Sequence, residues 1–242
     1  MQMRIRLFTA SLLAMGCFMA PVNADVIIDS FASGAITVQG TEYSTVDNAV
    51  LQTGLPSAET LGGTRLIRVD RISDDSDLTP ATATIDPAEQ QLRFENPSTG
   101  FAYLELIYGS EAPLGLDLTA SNQDRFVVDI SDASSVQRGV HRLQVVTGEG
   151  ETFASDSVSI TNQFIAISTS ESSSGRISVS FTDFEGLDFG DVSSITLDFG
   201  RIESGQVFSI DRIAVVPEPA SALLLSLGAL TLCLRRRRRF PH

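Results

Sequence analysis

Apolar and polar residues alternate with a period of two through most of this chain, and that period calls for half-buried β-strands. Residues 176–181 show it cleanly: Ile177, Val179 and Phe181 alternate with Arg176, Ser178 and Ser180. In residues 195–199, Ile195, Leu197 and Phe199 face one way and Thr196 and Asp198 the other. Residues 91–95 turn Leu92 and Phe94 inward, and residues 125–130 do so with Phe126, Val128 and Ile130. Residues 101–108 are apolar on nearly both faces, broken only by Glu105, which predicts a central strand covered on two sides. Residues 207–216 change phase near Asp211 and Arg212, so a bulge is expected there.

Fainter strands fall at residues 26–28, 35–38, 65–72, 140–147, 156–160 and 164–167, separated by stretches rich in Gly, Ser, Asp and Asn. No stretch has a convincing amphipathic helical period, although residues 46–54 leave room for one short helical turn. Two segments echo each other, Val69-Asp70-Arg71-Ile72 and Ile210-Asp211-Arg212-Ile213, and both read as strands with Asp and Arg toward solvent. Short strands at close spacing with no fixed repeat length predict an all-β fold, a two-sheet β-sandwich of jelly-roll type, and exclude a β-helix.

The two ends of the chain follow other rules. Pro217, Glu218 and Pro219 precede an uncharged apolar run, residues 220–234, and then five arginines: Arg235, Arg236, Arg237, Arg238 and Arg239. As a helix, those 15 residues would span about 22 Å. A bilayer core is ~30 Å thick. Basic flanks stay cytoplasmic, so the segment predicts a transient membrane insertion rather than a lasting transmembrane anchor.

These residues resemble the PEP-CTERM sorting signal of Gram-negative bacteria: a Pro-Glu-Pro motif, a short transmembrane helix and a terminal basic cluster. Phe240-Pro241-His242 beyond the arginines and Cys233 inside the run are departures from that pattern. The resemblance implies an exosortase-type membrane protease as partner, cleavage at or near the motif, and release or attachment of the body at the cell surface.

Residues 1–24 carry Arg4 and Arg6, then an apolar middle, then Val22-Asn23-Ala24. This is the layout of a secretory signal peptide, with cleavage between Ala24 and Asp25 and export through the Sec translocon. A rival reading takes Ala14-Met15-Gly16-Cys17 as a lipoprotein box, but the Leu such a box prefers is missing. The expected division is therefore a signal peptide at 1–24, an extracellular β-sandwich at 25–216 and a sorting signal at 217–242.

Composition narrows what the body can do. Every acidic residue lies within 25–219, where ten arginines against 30 acids leave a net charge of −20, and lysine is absent from the chain. Such a surface repels nucleic acid and anionic lipid. Both cysteines, Cys17 and Cys233, lie in the targeting ends, so the body can form neither a disulfide framework nor a cysteine metal site.

Catalytic signals are thin. His141 is the body's single histidine and has no flanking triad motif. Glycoside hydrolysis needs only two facing acids, and Glu105, on the most apolar strand, is the one candidate whose burial is expected. Structural Ca²⁺ is the more natural ligand, because hard cations want clustered oxygens on loops. Asp74, Asp75 and Asp77 form one cluster, and Asp183, Glu185, Asp188 and Asp191 a second, where Phe184 and Phe189 would anchor the loop to the core.

No organic cofactor is implied. Carbohydrate binding has a limited aromatic supply: no Trp, and only Tyr43, Tyr103 and Tyr108 among the tyrosines. The sequence thus points to an exported, non-enzymatic surface or extracellular-matrix protein. Its alternatives are a carbohydrate- or calcium-binding module of an exopolysaccharide matrix, and, further off, a glycan hydrolase.

Overall fold

The computed structural model describes residues 25–41, 48–72, 79–97, 99–120, 123–133, 140–148, 154–159 and 173–217. The strands among them are β1 (Val26–Asp29), β2 (Ile36–Gly40), β3 (Ala49–Gln52), β4 (Arg65–Ile72), β5 (Ala81–Asp86), β6 (Gln91–Asn96) and β7 (Phe101–Tyr108). They continue as β8 (Gln123–Ala133), β9 (Val140–Thr147), β10 (Ala154–Ser159), β11 (Ser173–Ser180), β12 (Val192–Ile202) and β13 (Gln206–Pro217). Sheet A has the order β11-β8-β13-β6-β5-β2, with β1 added against β13; sheet B runs β10-β9-β12-β7-β4-β3. Strand pairs in both sheets are antiparallel, and the chain crosses repeatedly from one sheet to the other. The fold is an all-β two-sheet sandwich.

Alternation explains the core. On β6, β12 and β8 the inward positions Leu92, Phe94, Ile195, Leu197, Phe199, Phe126, Val128 and Ile130 are all buried. Phe208 of β13 stacks on Phe94 at 5.4 Å and meets Phe199 of the opposite sheet at 5.5 Å, so three rings tie the sheets together. The expected phase change in β13 is real: its register against β8 slips between Ile210 and Arg212, which lets Phe208, Ile210, Ile213 and Val215 all face inward.

Three expectations are corrected or refined. Strand β7 is central, between β12 and β4, but only one of its faces is fully buried. Its even positions, from Ala102 to Tyr108, are buried, while Phe101, Tyr103, Glu105 and Ile107 are half-buried. Apolar side chains on an outward face lowered the contrast that the sequence reading depended on. Arg71, expected at the surface, is buried on the same pleat face as Ile67 and Val69. Its guanidinium reaches the carbonyl of Thr79 at 3.1 Å, because a long side chain at a strand end can satisfy itself on the rim. The described part of residues 46–54 includes strand β3. The expected strand at 164–167 lies outside the described residues.

Candidate functional site

Two regions carry concentrated chemistry: the outer face of sheet B, and the pole where β1 begins beside the end of β13. On sheet B, strand register lines up four charges in one row. Arg68 of β4 lies opposite Glu105 of β7, Glu105 opposite Asp198 of β12, and Asp198 opposite Arg142 of β9. Arg68 donates to Glu105 at 2.8 Å and Arg142 to Asp198 at 3.3 Å. A second row, Leu66, Ile107, Thr196 and Gln144, runs beside it. On its other flank Asp70 lies opposite Tyr103, and Asn48 donates to Asp70 at 3.4 Å. Beyond them Arg201 covers the ring of Phe101 at 4.9 Å, its backbone turned to φ 54° where the β12 register slips. The result is a face of polar and apolar rows two residues apart along the strands, about 6.7 Å, with neighbours within a row one strand spacing apart, ~4.8 Å.

The two central carboxylates are side by side. Burial pushes Glu105 above the usual carboxylate range; Arg68 pulls it down, and Asp198 and Asp70 push it further up. Burial likewise raises Asp198, against Arg142. Carboxyls whose folded values are raised hold their protons more readily folded than unfolded. Their stabilisation is complete below the unfolded range of about 4 and is lost as pH rises through the raised values. Replacing Asp198 by Asn should therefore raise the melting temperature, relative to the parent, more at pH 7 than at pH 4. An equal offset at both pH values would contradict this.

Sequence reasoning singled out Glu105 but not its partner. Alternation alone places Asp198 on an outward face. Only strand register makes the two neighbours.

The second region is built on β1 and β13. Residues 213–215 of β13 pair on one side with β8 and on the other with β1, where Val26 faces Val215 and Ile27 faces Ala214. The last paired position is Pro217, opposite Gln123. Asp25, the expected first residue of the mature chain, pairs with Arg212 at 2.9 Å. Arg212 also reaches Asp129 at 3.0 Å. Burial raises the Asp129 carboxyl, but the hydrogen bonds and charges of Arg176 and Arg212 outweigh this and hold it below the usual range.

The other end of β1 is fixed by a network absent from the sequence reading. Asp29 is fully buried and accepts from Arg65 on both oxygens at 2.9 Å, from the Phe31 amide at 2.9 Å and from the Tyr108 hydroxyl at 3.0 Å. Arg65 also donates to Gln52 at 2.7 Å and to the Ser33 carbonyl at 2.6 Å, and it lies over the Phe31 ring. Phe31 adopts φ 53°, a left-handed conformation that bulky residues rarely take unless their surroundings impose it. Gly34 has φ 74°, and a Cβ there would lie 2.8 Å from the Arg65 guanidinium. Burial pushes the Asp29 carboxyl upward, with Arg65, the Phe31 amide and Tyr108 opposing it. Burial and the neighbouring Asp29 also push the Tyr108 phenol well up, which keeps it a donor. The cluster joins β1 to β4 and β7 of the opposite sheet. A charged residue at an inward strand phase, Arg65, was the available signal.

The remaining expected sites fall as follows. Pro217 ends β13 and Asp25 opens the described chain, while Ala24, Glu218, Pro219, Arg235–Arg239 and the apolar run 220–234 lie outside the described residues. Among the described residues no helix is long and apolar enough to cross a membrane. Asp74, Asp75 and Asp77 also lie outside them. In the second acidic stretch Asp183 accepts from the Ser180 amide at 2.9 Å, and Asp188 accepts from the Gly190 amide at 2.9 Å. Phe184 and Phe189 are buried and pack with Phe126, anchoring that loop as expected. Among the described residues, no three His, Cys, Asp or Glu side chains are grouped so as to hold a metal ion. His141 lies on β9 with its backbone opposite Phe199.

Fold and tail together define a β-sandwich whose last strand runs straight into a C-terminal sorting tail. Residues 215–238 match the PEP-CTERM protein-sorting motif. No curated protein matches the chain. Among solved structures it is similar to a family 11 carbohydrate-binding module of the cellulosomal cellulase Lic26A-Cel5E of Clostridium thermocellum, at 15% identity and TM-score 0.36. That alignment covers 81% of this chain and 95% of that one. A family 30 carbohydrate-binding module aligns at 13% identity and TM-score 0.39, covering 81% and 99%. A family 28 module specific for non-crystalline cellulose aligns at 11% identity and TM-score 0.35, covering 80% and 98%. Superpositions this loose carry no argument about function.

Proposed function

We propose that this chain is the precursor of an exported, non-enzymatic surface or matrix protein, delivered by an exosortase-type system that cuts at or near Pro217-Glu218-Pro219. The observation that carries this reading is the sorting motif at 215–238, which begins inside the last strand of a folded sandwich. The tail is then a delivery device for the sandwich, which holds its core without disulfides. The non-enzymatic reading is supported by Glu105 and Asp198, each tied to an arginine on an open sheet face. The test is expression with and without an exosortase-type protease. With the protease the tail is lost and the body leaves the membrane fraction; without it the full-length form accumulates there. Identical products in both hosts would contradict the reading.

A second reading concerns the body's ligand. The Arg68–Glu105–Asp198–Arg142 row, flanked by Leu66, Ile107 and Tyr103, offers hydrogen-bonding groups beside apolar surface, as a sugar polymer requires. We read it as a docking face for exopolysaccharide, and the body's charge of −20 favours a neutral or cationic polymer over an anionic one. Retardation in gels containing the host's exopolysaccharide, lost in Tyr103→Ala, is the expected result. Equal retardation of parent and variant would remove this face from consideration.

A further inference from the structure

The geometry of β1 and β13 bears on how the sorting reaction is controlled, an inference that rests on the sorting reading above. Pro217 is still paired in the sheet, opposite Gln123, and Val215 is fully buried. From Pro217 to the start of the apolar run at Ala220 is three residues. An extended chain covers at most ~10 Å over that length. A protease binds its substrate as an extended strand and contacts several residues on each side of the bond it cuts. Residues 215–217 are all paired with β8, and Val215 is held on its other side by β1 as well, so they cannot occupy such a groove while the sheet is closed.

We propose that β1 is a latch on the sorting strand: residues 215–217 must leave the sheet before the motif can be cut, and β1 sets how readily they leave. The latch is held at both ends. Asp25 pairs with Arg212 at the pole, and Asp29 is locked into the Arg65 and Tyr108 network inside. The same antiparallel pairing brings the mature N-terminus beside the sorting motif, so the product of signal-peptide cleavage forms one wall of the sorting substrate. The cut itself breaks one amide C–N bond. The acyl carbon takes the oxygen of water or an acceptor's nucleophile, and the released amine takes the proton.

A disulfide across the latch tests this. Ile27 and Ala214 are directly paired, outside the matched motif, in a body with no cysteine of its own. Paired antiparallel positions meet the Cα spacing a disulfide needs, and the exported compartment is oxidising. The full-length I27C/A214C variant is followed by pulse-chase in a host carrying an exosortase-type protease. Oxidised variant should lose its tail about tenfold more slowly than reduced variant, because local opening of the strand end is blocked. Adding reductant should restore the parent rate, and a flexible Gly/Ser insert between position 214 and Val215, which leaves the matched motif at 215–238 whole, should restore it without reductant. Equal rates for oxidised and reduced variant, with the parent cut normally, would overturn the latch alone. A parent that is never cut would overturn the sorting reading and the latch with it.

Discussion

Asp29→Ala should lower the stability of the sandwich by about 3–5 kcal/mol, the cost of removing one partner from a buried ion pair. Arg65 is fully buried, and the substitution leaves its guanidinium without a counter-charge and Tyr108 without its acceptor. Domains of this kind are stable by only ~5–15 kcal/mol. The loss should appear as a large drop in the midpoint of urea unfolding. Asp29→Leu combined with Arg65→Met removes both charges together and should recover much of that loss, since an apolar pair of similar volume replaces the ions. A single substitution costing under about 1 kcal/mol would mean that water reaches the pair. The same change should loosen β1 from the opposite sheet, because Asp29 is its inner attachment.

Phe208→Ala should cost about 3–5 kcal/mol, the usual range for emptying a buried aromatic site. Phe208 is fully buried, stacked on Phe94 within its own sheet and set against Phe199 of the other. Its removal opens a cavity between two sheets whose backbones are fixed by their ladders, so collapse around the gap is limited. Phe208→Leu should cost far less, since most of the volume stays filled. Thermal and urea melts of the two variants check this. Near-equal losses would show that ring packing, rather than filled volume, sets the cost.

The core was legible in the sequence because alternation is a local signal. Leu92, Phe94, Phe126, Ile195 and Phe199 could be placed inward from their immediate neighbours alone, and all are buried. The bulge at Asp211 was legible for the same reason: a phase change leaves its mark on adjacent residues. Contacts set by register were not legible. Glu105 and Asp198 are 93 positions apart, and which outward acid faces which follows from strand order. Asp29, Arg65 and Tyr108 come from three distant segments, and a polar residue at an inward phase reads as a solvated one when its partner is unknown. The sorting tail was legible because its meaning lies in the order of three linear features. How closely it joins the fold was not, since nothing local shows that Pro217 is still paired in a sheet.

Mass measurement of the protein recovered outside the cell bears most directly on the proposal that the tail is removed once it has delivered the sandwich. The mature species should begin at Asp25 and end at or near the Pro217-Glu218-Pro219 motif, with no arginine block. An extracellular species that still carries Arg235–Arg239 would contradict it.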